Sequence, residues 1–425
     1  MKIAILRKKY TFHGGAESFS GSFIEKLADD GHEIHIFAIK WKAAGVHKNI
    51  HFHRIPAVTF NSFLRDLTFA LSSYYILKKQ RKSFDIIQTH DKTLYQDIYR
   101  AGDGCHIEWL RQRWKRIGLS GKISIMLNPY HWLILSLERS IFNGRRFEKV
   151  IAISELVKKN ITDNYKVSPS DIEVIYNGVD TVKFHPENRE KYRSEIRRKH
   201  GLADNDFVVL FMGSGFERKG VGYLLQAVEA MDEPVAVLVV GKGSEKKFRK
   251  ISTSRCNASR QREPSPSFPK RGNTPLHPSQ EGNNFPLWKR GIKGDFQFRQ
   301  NILFCGPQKD NYKYYAAADI FVFPTIYEPF GNVHLEALAS GLPVITTANS
   351  GAAEIIKDDV QGFVIREPED FRAIAEKIRI FVNDRSRLSS MSENARQSAE
   401  EFTFERHIGK IKELYEKVVD ERSNK

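Results

Sequence analysis

Two glutamates bracket a glycine turn in the stretch Thr325-Ile326-Tyr327-Glu328-Pro329-Phe330-Gly331-Asn332-Val333-His334-Leu335-Glu336. The turn follows an apolar strand, Ile320-Phe321-Val322-Phe323-Pro324, and runs into a helical pattern from Val333 to Ala339. Such a junction suits an anion. A helix N-terminus presents unpaired N–H groups and partial positive charge, and a glycine such as Gly331 lets the backbone approach a ligand closely. Read alone, Glu328 and Glu336 fit an acid/base pair or an ordinary turn whose second glutamate faces water. A second stretch carries the opposite charge. After the apolar run Phe207 to Met212 come Gly213-Ser214-Gly215 and then Arg218-Lys219-Gly220, at the start of the helical pattern Val221 to Met231. Cations at a loop-to-helix junction suit a diphosphate, with backbone N–H groups assisting.

The elements that must position these residues occur twice. Near the N-terminus, the strand of residues 3 to 6 leads into His13-Gly14-Gly15, a helical pattern from Ala16 to Asp29, and a strand from Glu33 to Ile39. Further strands are expected at Asp85 to Thr89, Asp97 to Arg100, Lys149 to Ile153 and Glu173 to Tyr176. Strand, glycine loop, helix, strand is the order of a parallel sheet that binds ligands at the C-terminal ends of its strands. The same order restarts at Phe207, after Asn177-Gly178-Val179-Asp180 and a charged helix from Glu187 to His200. The fold class is therefore α/β, with two Rossmann-like domains. Residues 1–182 form the first domain and 183–403 the second, and a helix within 404–425 is expected to pack back on the first. A helix is expected to start over Gly351 to Asp358, and helices to run from Glu369 to Val382, Arg385 to Glu401 and Phe404 to Val419.

At 425 residues, 41% hydrophobic and 12% aromatic, the chain has cores large enough to need no disulfides. Its three cysteines, Cys105, Cys256 and Cys305, lack metal-like spacing, which favours a reducing, cytoplasmic setting. The opening Met1-Lys2-Ile3-Ala4-Ile5-Leu6 is too short an apolar run for a signal peptide, and no run of membrane-spanning length follows. The net charge of +16 favours an anionic partner. Much of it belongs to residues 251–300, which hold six of the sixteen prolines and nine Lys/Arg against three Asp/Glu. That composition reads as a disordered insertion. Trp109-Leu110-Arg111-Gln112-Arg113-Trp114-Lys115-Arg116-Ile117-Gly118-Leu119 interleaves aromatics with cations. A solvated helix with inward tryptophans, contact with an anionic membrane and single-stranded nucleic acid are the three readings, and nucleic acid is the least favoured.

Taken together, the Gly14-Gly15 loop, the Asn177-Gly178-Val179-Asp180 hinge, Lys219-Gly220, the Glu328-to-Glu336 spacing and Ala339-Ser340-Gly341-Leu342-Pro343-Val344 resemble the retaining glycosyltransferases of family four, which have the GT-B fold. Phe216-Glu217-Arg218-Lys219-Gly220-Val221 and Ala101-Gly102-Asp103-Gly104-Cys105 look most like the branch that adds glucose to the heptose of the bacterial lipopolysaccharide core. The resemblance implies a nucleotide sugar, UDP-glucose foremost, as co-substrate, with a glycolipid or saccharide acceptor and no cofactor or metal. It assigns the diphosphate to Lys219, ribose hydroxyls to Glu336 and the donor sugar to Glu328. The N–H groups around Phe330, Gly331 and Asn332 hold sugar or phosphate. Two positions depart from the common pattern. Ser214 stands where many members have arginine, leaving Arg218 as the expected second cation, and Asp103 stands where many have histidine. Asp103 then either orients a sugar hydroxyl, assists the acceptor or caps its own turn. A sugar-nucleotide epimerase of the same fold and a basic nucleic-acid-binding protein are the competing classes.

Overall fold

The computed structural model describes residues 1–10, 15–41, 47–246, 248 and 301–424. The 251–300 stretch and Gly14 lie outside the described residues.

Among the described residues, the main sheet of the first domain has seven strands, β1 (Lys2–Leu6), β2 (Glu33–Ala38), β3 (Ile50–Arg54), β4 (Ile86–Thr89), β5 (Ile98–Ala101), β6 (Lys149–Ala152) and β7 (Ile172–Val174), apart from a short separate pairing of Lys9–Tyr10 with Lys40–Trp41. All pair in parallel, in the spatial order β3-β2-β1-β4-β5-β6-β7. Their helices are α1 (Gly15–Asp29), α2 (Ser62–Gln80), α3 (His106–Trp114), α4 (Leu119–Leu127), α5 (Pro129–Phe142) and α6 (Glu155–Asn164). The second domain follows α7 (Asn188–Lys199) with β8 (Val208–Met212), α8 (Val221–Glu229), β9 (Ala236–Val240), β10 (Asn301–Gly306), α9 (Asn311–Ala317), β11 (Ile320–Phe323), α10 (Asn332–Ala339), β12 (Val344–Thr347) and β13 (Gly362–Ile365). Its sheet order, β10-β9-β8-β11-β12-β13, repeats the first. The chain closes with α11 (Phe371–Asn383), α12 (Arg385–Ala399) and α13 (Phe404–Ser423).

Each sheet reverses direction of winding between its first and fourth strands, β1/β4 and β8/β11. That reversal opens a crevice at the strand C-termini, where ligands of such sheets bind. Strands such as Val208–Met212 and Ala236–Val240 are apolar throughout because helices cover both faces. A buried charge cluster fastens α7 beneath the second sheet. Fully buried Arg197 pairs with Asp319 at 3.0 Å and donates to the carbonyls of Ala203, Asp204, Asp206 and Ala317.

The chain crosses between domains twice at one place, where Val179 N–H donates to Phe402 O (2.9 Å) and Phe404 N–H to Val179 O (3.2 Å). Thr403 then caps α13, accepting from Arg406 N–H. Helix α13 lays Ile408, Ile411, Leu414 and Tyr415 into the same core as Ile3, Ile5 and Phe23. The segment after Gly351 is a single 3₁₀ turn, Gly351–Ile355, rather than the start of a helix to Asp358. Its Glu354 is occupied across the cleft, accepting from Glu155 N–H (2.9 Å) and Leu156 N–H at the N-terminus of α6. The Trp109-to-Leu119 stretch is not one helix: α3 ends at Trp114 and α4 begins at Leu119.

Candidate active site

Both crevices open into one cavity of about 480 Å³. From the first domain, Arg7 and His90, just past β1 and β4, reach its wall together with Arg100, Asp103 and Asn177. From the second come Gly213, Ser214, Arg218, Lys219, Glu328, Phe330, Gly331, Asn332 and Glu336. Residues more than a hundred positions apart in the chain therefore converge.

The glycine turn depends on its own backbone geometry. Gly331 sits at φ +85°, and a β-carbon there would lie 2.8 Å from His334 Nδ1 and 3.0 Å from Glu328 Cγ. His334, in the first turn of α10, reaches back to Gly331 O at 2.8 Å. A carbonyl only accepts, so Nδ1 carries the proton, and burial holds the imidazole neutral by lowering its pKa to about 4. The cation loop has a matching constraint. Gly220, at φ +79°, packs so closely that a β-carbon would lie 1.7 Å from Pro324 O. That contact sets Lys219 beside the strand end.

Glu328 accepts from Lys219 Nζ at 2.9 Å and Arg218 Nη1 at 3.1 Å, both on the same carboxylate oxygen. Arg218 also donates to Tyr327 O at 3.0 Å, which settles the direction of its side chain. Burial would raise the Glu328 pKa, but Lys219 and Arg218 outweigh it and hold the group ionised below the usual carboxylate range. Glu336 has a different environment. It accepts from Tyr315 O–H (2.8 Å) and Asn311 Nδ2 (3.1 Å), and burial raises its pKa against the Tyr315 hydrogen bond. One carboxylate is thus engaged with cations and the other with neutral donors.

Asp103, exposed on the Gly102-Asp103-Gly104 turn, lines this cavity and a second one of about 300 Å³ that adjoins it. The second is walled by Lys8, Asp66, Lys92, His106, Trp109 and Tyr130 of the first domain, with Arg218 and Glu328 shared. Lys8 is balanced by Asp66 and Asp91, each at 3.1 Å. Trp109 therefore faces a cavity. Ser214 Oγ accepts from Lys242 N–H, and Gly15 opens α1.

Arg7, His90 and Arg100 were not evident as site residues in the sequence. The available signal was a cation inside the apolar strand Ile98–Ala101. Arg100 Nη2 donates to Asn177 Oδ1 (2.5 Å), and Asn177 Nδ2 donates to Asn332 Oδ1 (2.6 Å), linking the first sheet to the start of α10. Other bonds close the cleft: Ser154 Oγ to Pro329 O at 2.7 Å, and Cys105 N–H and Asn160 Nδ2 to Tyr327 Oη at 3.3 and 3.2 Å.

Two Rossmann-like domains facing across a cleft, with a helix-capping glycine turn on the second, define a glycosyltransferase of the GT-B type. Residues 13–183 match Glycosyltransferase Family 4, and residues 192–261 and 293–398 match Glycosyl transferases group 1. The chain belongs to these families, one in each half. Lipopolysaccharide glucosyltransferase WaaG of Escherichia coli K12 is 23% identical over 404 residues, covering 94% of each chain. N-acetyl-alpha-D-glucosaminyl L-malate synthase of Bacillus anthracis is 23% identical over 434 residues, covering 100% of this chain and 99% of its own. The crystal structure of WaaG shares the fold with a TM-score of 0.75 at 22% identity, over 97% of this chain and 99% of that one. Anabaena Alr3699/HepE in complex with UDP-glucose does so with a TM-score of 0.65 at 19% identity, over 98% and 100%.

Proposed function

We propose that this chain is a retaining, metal-independent hexosyltransferase acting on a nucleotide sugar, UDP-glucose foremost. Its acceptor is a hydroxyl of a glycolipid or lipopolysaccharide-core-type saccharide. The observation that carries the reading is the meeting of Lys219, Arg218 and the Gly331 turn in one cavity with Glu336 alongside. Residues 183–403 hold the donor and 1–182 the acceptor. Lys219, Arg218 and the N-terminus of α10 take the diphosphate charge, Glu336 accepts from the ribose hydroxyls and Glu328 positions the sugar. The second cavity, lined by hydrogen-bonding groups and Trp109, takes the acceptor, with Asp103 between the two.

In the reaction, the bond from the anomeric carbon to the diphosphate oxygen breaks. The acceptor oxygen bonds to the same face of that carbon, and its proton passes to the departing diphosphate. With the leaving charge held by protein cations and N–H groups, no metal is required of this step. The names of the glucosyltransferase relative and of the UDP-glucose complex support glucose and UDP as the first choices.

The site works at the cytoplasmic face of an anionic membrane. None of the described helices is long and apolar enough to cross a bilayer. Instead α4 and the start of α5 expose Leu119 (75%), Leu127 (71%) and Trp132 (63%), with Ile123 and Met126 between them. Lys122 lies over the Trp114 ring at 5.3 Å. Apolar side chains flanked by cations suit a headgroup layer.

The test is a thermal-shift and nucleotide-release screen of the full chain against UDP-, GDP- and ADP-sugars. UDP-glucose is expected to raise the melting temperature and to be hydrolysed slowly, with EDTA leaving turnover unchanged. No shift and no release with any of the UDP-sugars would remove the proposal.

A further inference from the structure

A second group of chemically active side chains lies at the opposite end of the first sheet from the donor cavity. Glu33 and His35 are alternate residues at the start of β2, and His51 and His53 are alternate residues of β3. The parallel register sets His35 against His51 and Phe37 against His53, so all four side chains share one face. Three histidines and a carboxylate on one face of two neighbouring strands exceed what sheet packing needs.

The distances fit a metal better than a packed ladder of rings. One donor atom each of Glu33, His35 and His51 lies within 4.8 Å of the others. Glu33 Oε1 is 2.8 Å from His35 Nε2 and 3.8 Å from His51 Nε2. Around a tetrahedral zinc with bonds of about 2.0 Å, neighbouring donor atoms sit about 3.3 Å apart. The two observed separations bracket that value, so small side-chain rotations suffice. His35 Nδ1 is 2.7 Å from His53 Nε2, and the rings stack 13° from parallel. A carboxylate only accepts, so without metal His35 Nε2–H donates to Glu33 and Nδ1 accepts from His53; an ion bound at Nε2 would displace that proton and leave Nδ1–H to donate to His53, the outer contact that metal-bound imidazoles regularly make.

We propose that Glu33, His35 and His51 bind one divalent transition-metal ion of the zinc class, with His53 as the positioning residue for His35. Glu33 and His51 are 43% and 45% exposed, which gives the ion a path in and leaves a fourth position for water. Lys2, 2.9 Å from Glu33 Oε1, competes for the carboxylate. The site ties β2 to the edge strand β3 and takes no part in transfer, so it stands or falls independently of the donor reading.

The experiment strips the full chain with chelator and titrates it with Zn²⁺, using Co²⁺ absorption as the spectroscopic probe. One equivalent is expected to bind at micromolar concentration or below, with the visible spectrum of a four-coordinate nitrogen and oxygen site. His51→Ala should weaken binding at least tenfold and His53→Ala about tenfold, while Lys2→Ala should strengthen it roughly two- to fivefold. His185→Ala, a histidine of the other domain, should change nothing. Because His35→Ala could disturb the sheet, the exposed His51→Gln, checked for an unchanged metal-free melt, carries the decision. Stoichiometric binding that survives it, or no uptake by the native chain, overturns the proposal.

Discussion

Replacing Lys219 by alanine tests the donor site most directly. Its ammonium is 13% exposed and sits 2.9 Å from a buried carboxylate, so it acts in a medium far less polar than water. At an effective dielectric constant of about 20, a unit charge about 3 Å away interacts by roughly 5 kcal/mol. Part of that is already used on Glu328 before donor binds, and removal of one desolvated contact to developing charge costs roughly 3 to 4 kcal/mol. Turnover at saturating donor should therefore fall roughly 160- to 900-fold. Arg218, 34% exposed, should matter less, by about ten- to a hundredfold on change to alanine. The assay is nucleotide release and sugar transfer with each variant, alongside a thermal melt. Folding stability should drop by only about 1 to 3 kcal/mol, because Arg218 still pairs with Glu328 at 3.1 Å. Turnover within about threefold of the native enzyme, in a folded Lys219→Ala protein, would refute the assignment.

Gly331→Ala should weaken donor binding at least tenfold and cost about 1 to 3 kcal/mol of stability, since its φ of +85° and the nearby His334 ring leave no room for a β-carbon; isothermal titration with UDP and a melt check it. Asp319→Asn should destabilise by about 3 to 5 kcal/mol, because it strands the buried Arg197 guanidinium. Burial would raise the Asp319 pKa, but Arg193, Arg197 and the Val208 N–H lower it overall. Its stabilisation is then complete above the unfolded value of about 3.9 and is lost as pH falls toward the folded one, so the variant should flatten the acid limb of melting temperature against pH. Leu119→Ser, Leu127→Ser and Trp132→Ser together should cut retention on anionic vesicles at least tenfold while leaving hydrolysis of the donor unchanged; a flotation assay decides.

The local pieces follow from the order of residues alone. Strand, glycine and helix recur in both halves because apolar runs of strand length, punctuated by glycine, have few other folds open to them, and the junctions at Gly220 and Gly331 were legible for the same reason. The pairing of Lys219 with Glu328 was not, since the two lie on separate strand-to-helix turns and meet only when β8 and β11 pair in the sheet. Tertiary structure likewise turned Arg218 toward Tyr327 O and brought Arg7 and Arg100 to the cavity wall from the other domain. It split Trp109-to-Leu119 between a cavity, an ion pair of Arg116 with Glu367 and the exposed start of α4. Composition could not make that division, because the burial of an aromatic or a cation depends on which surface packs against it. The histidines of β2 and β3 show the limit most plainly: each strand reads as alternation, and only the parallel register sets His35 beside His51.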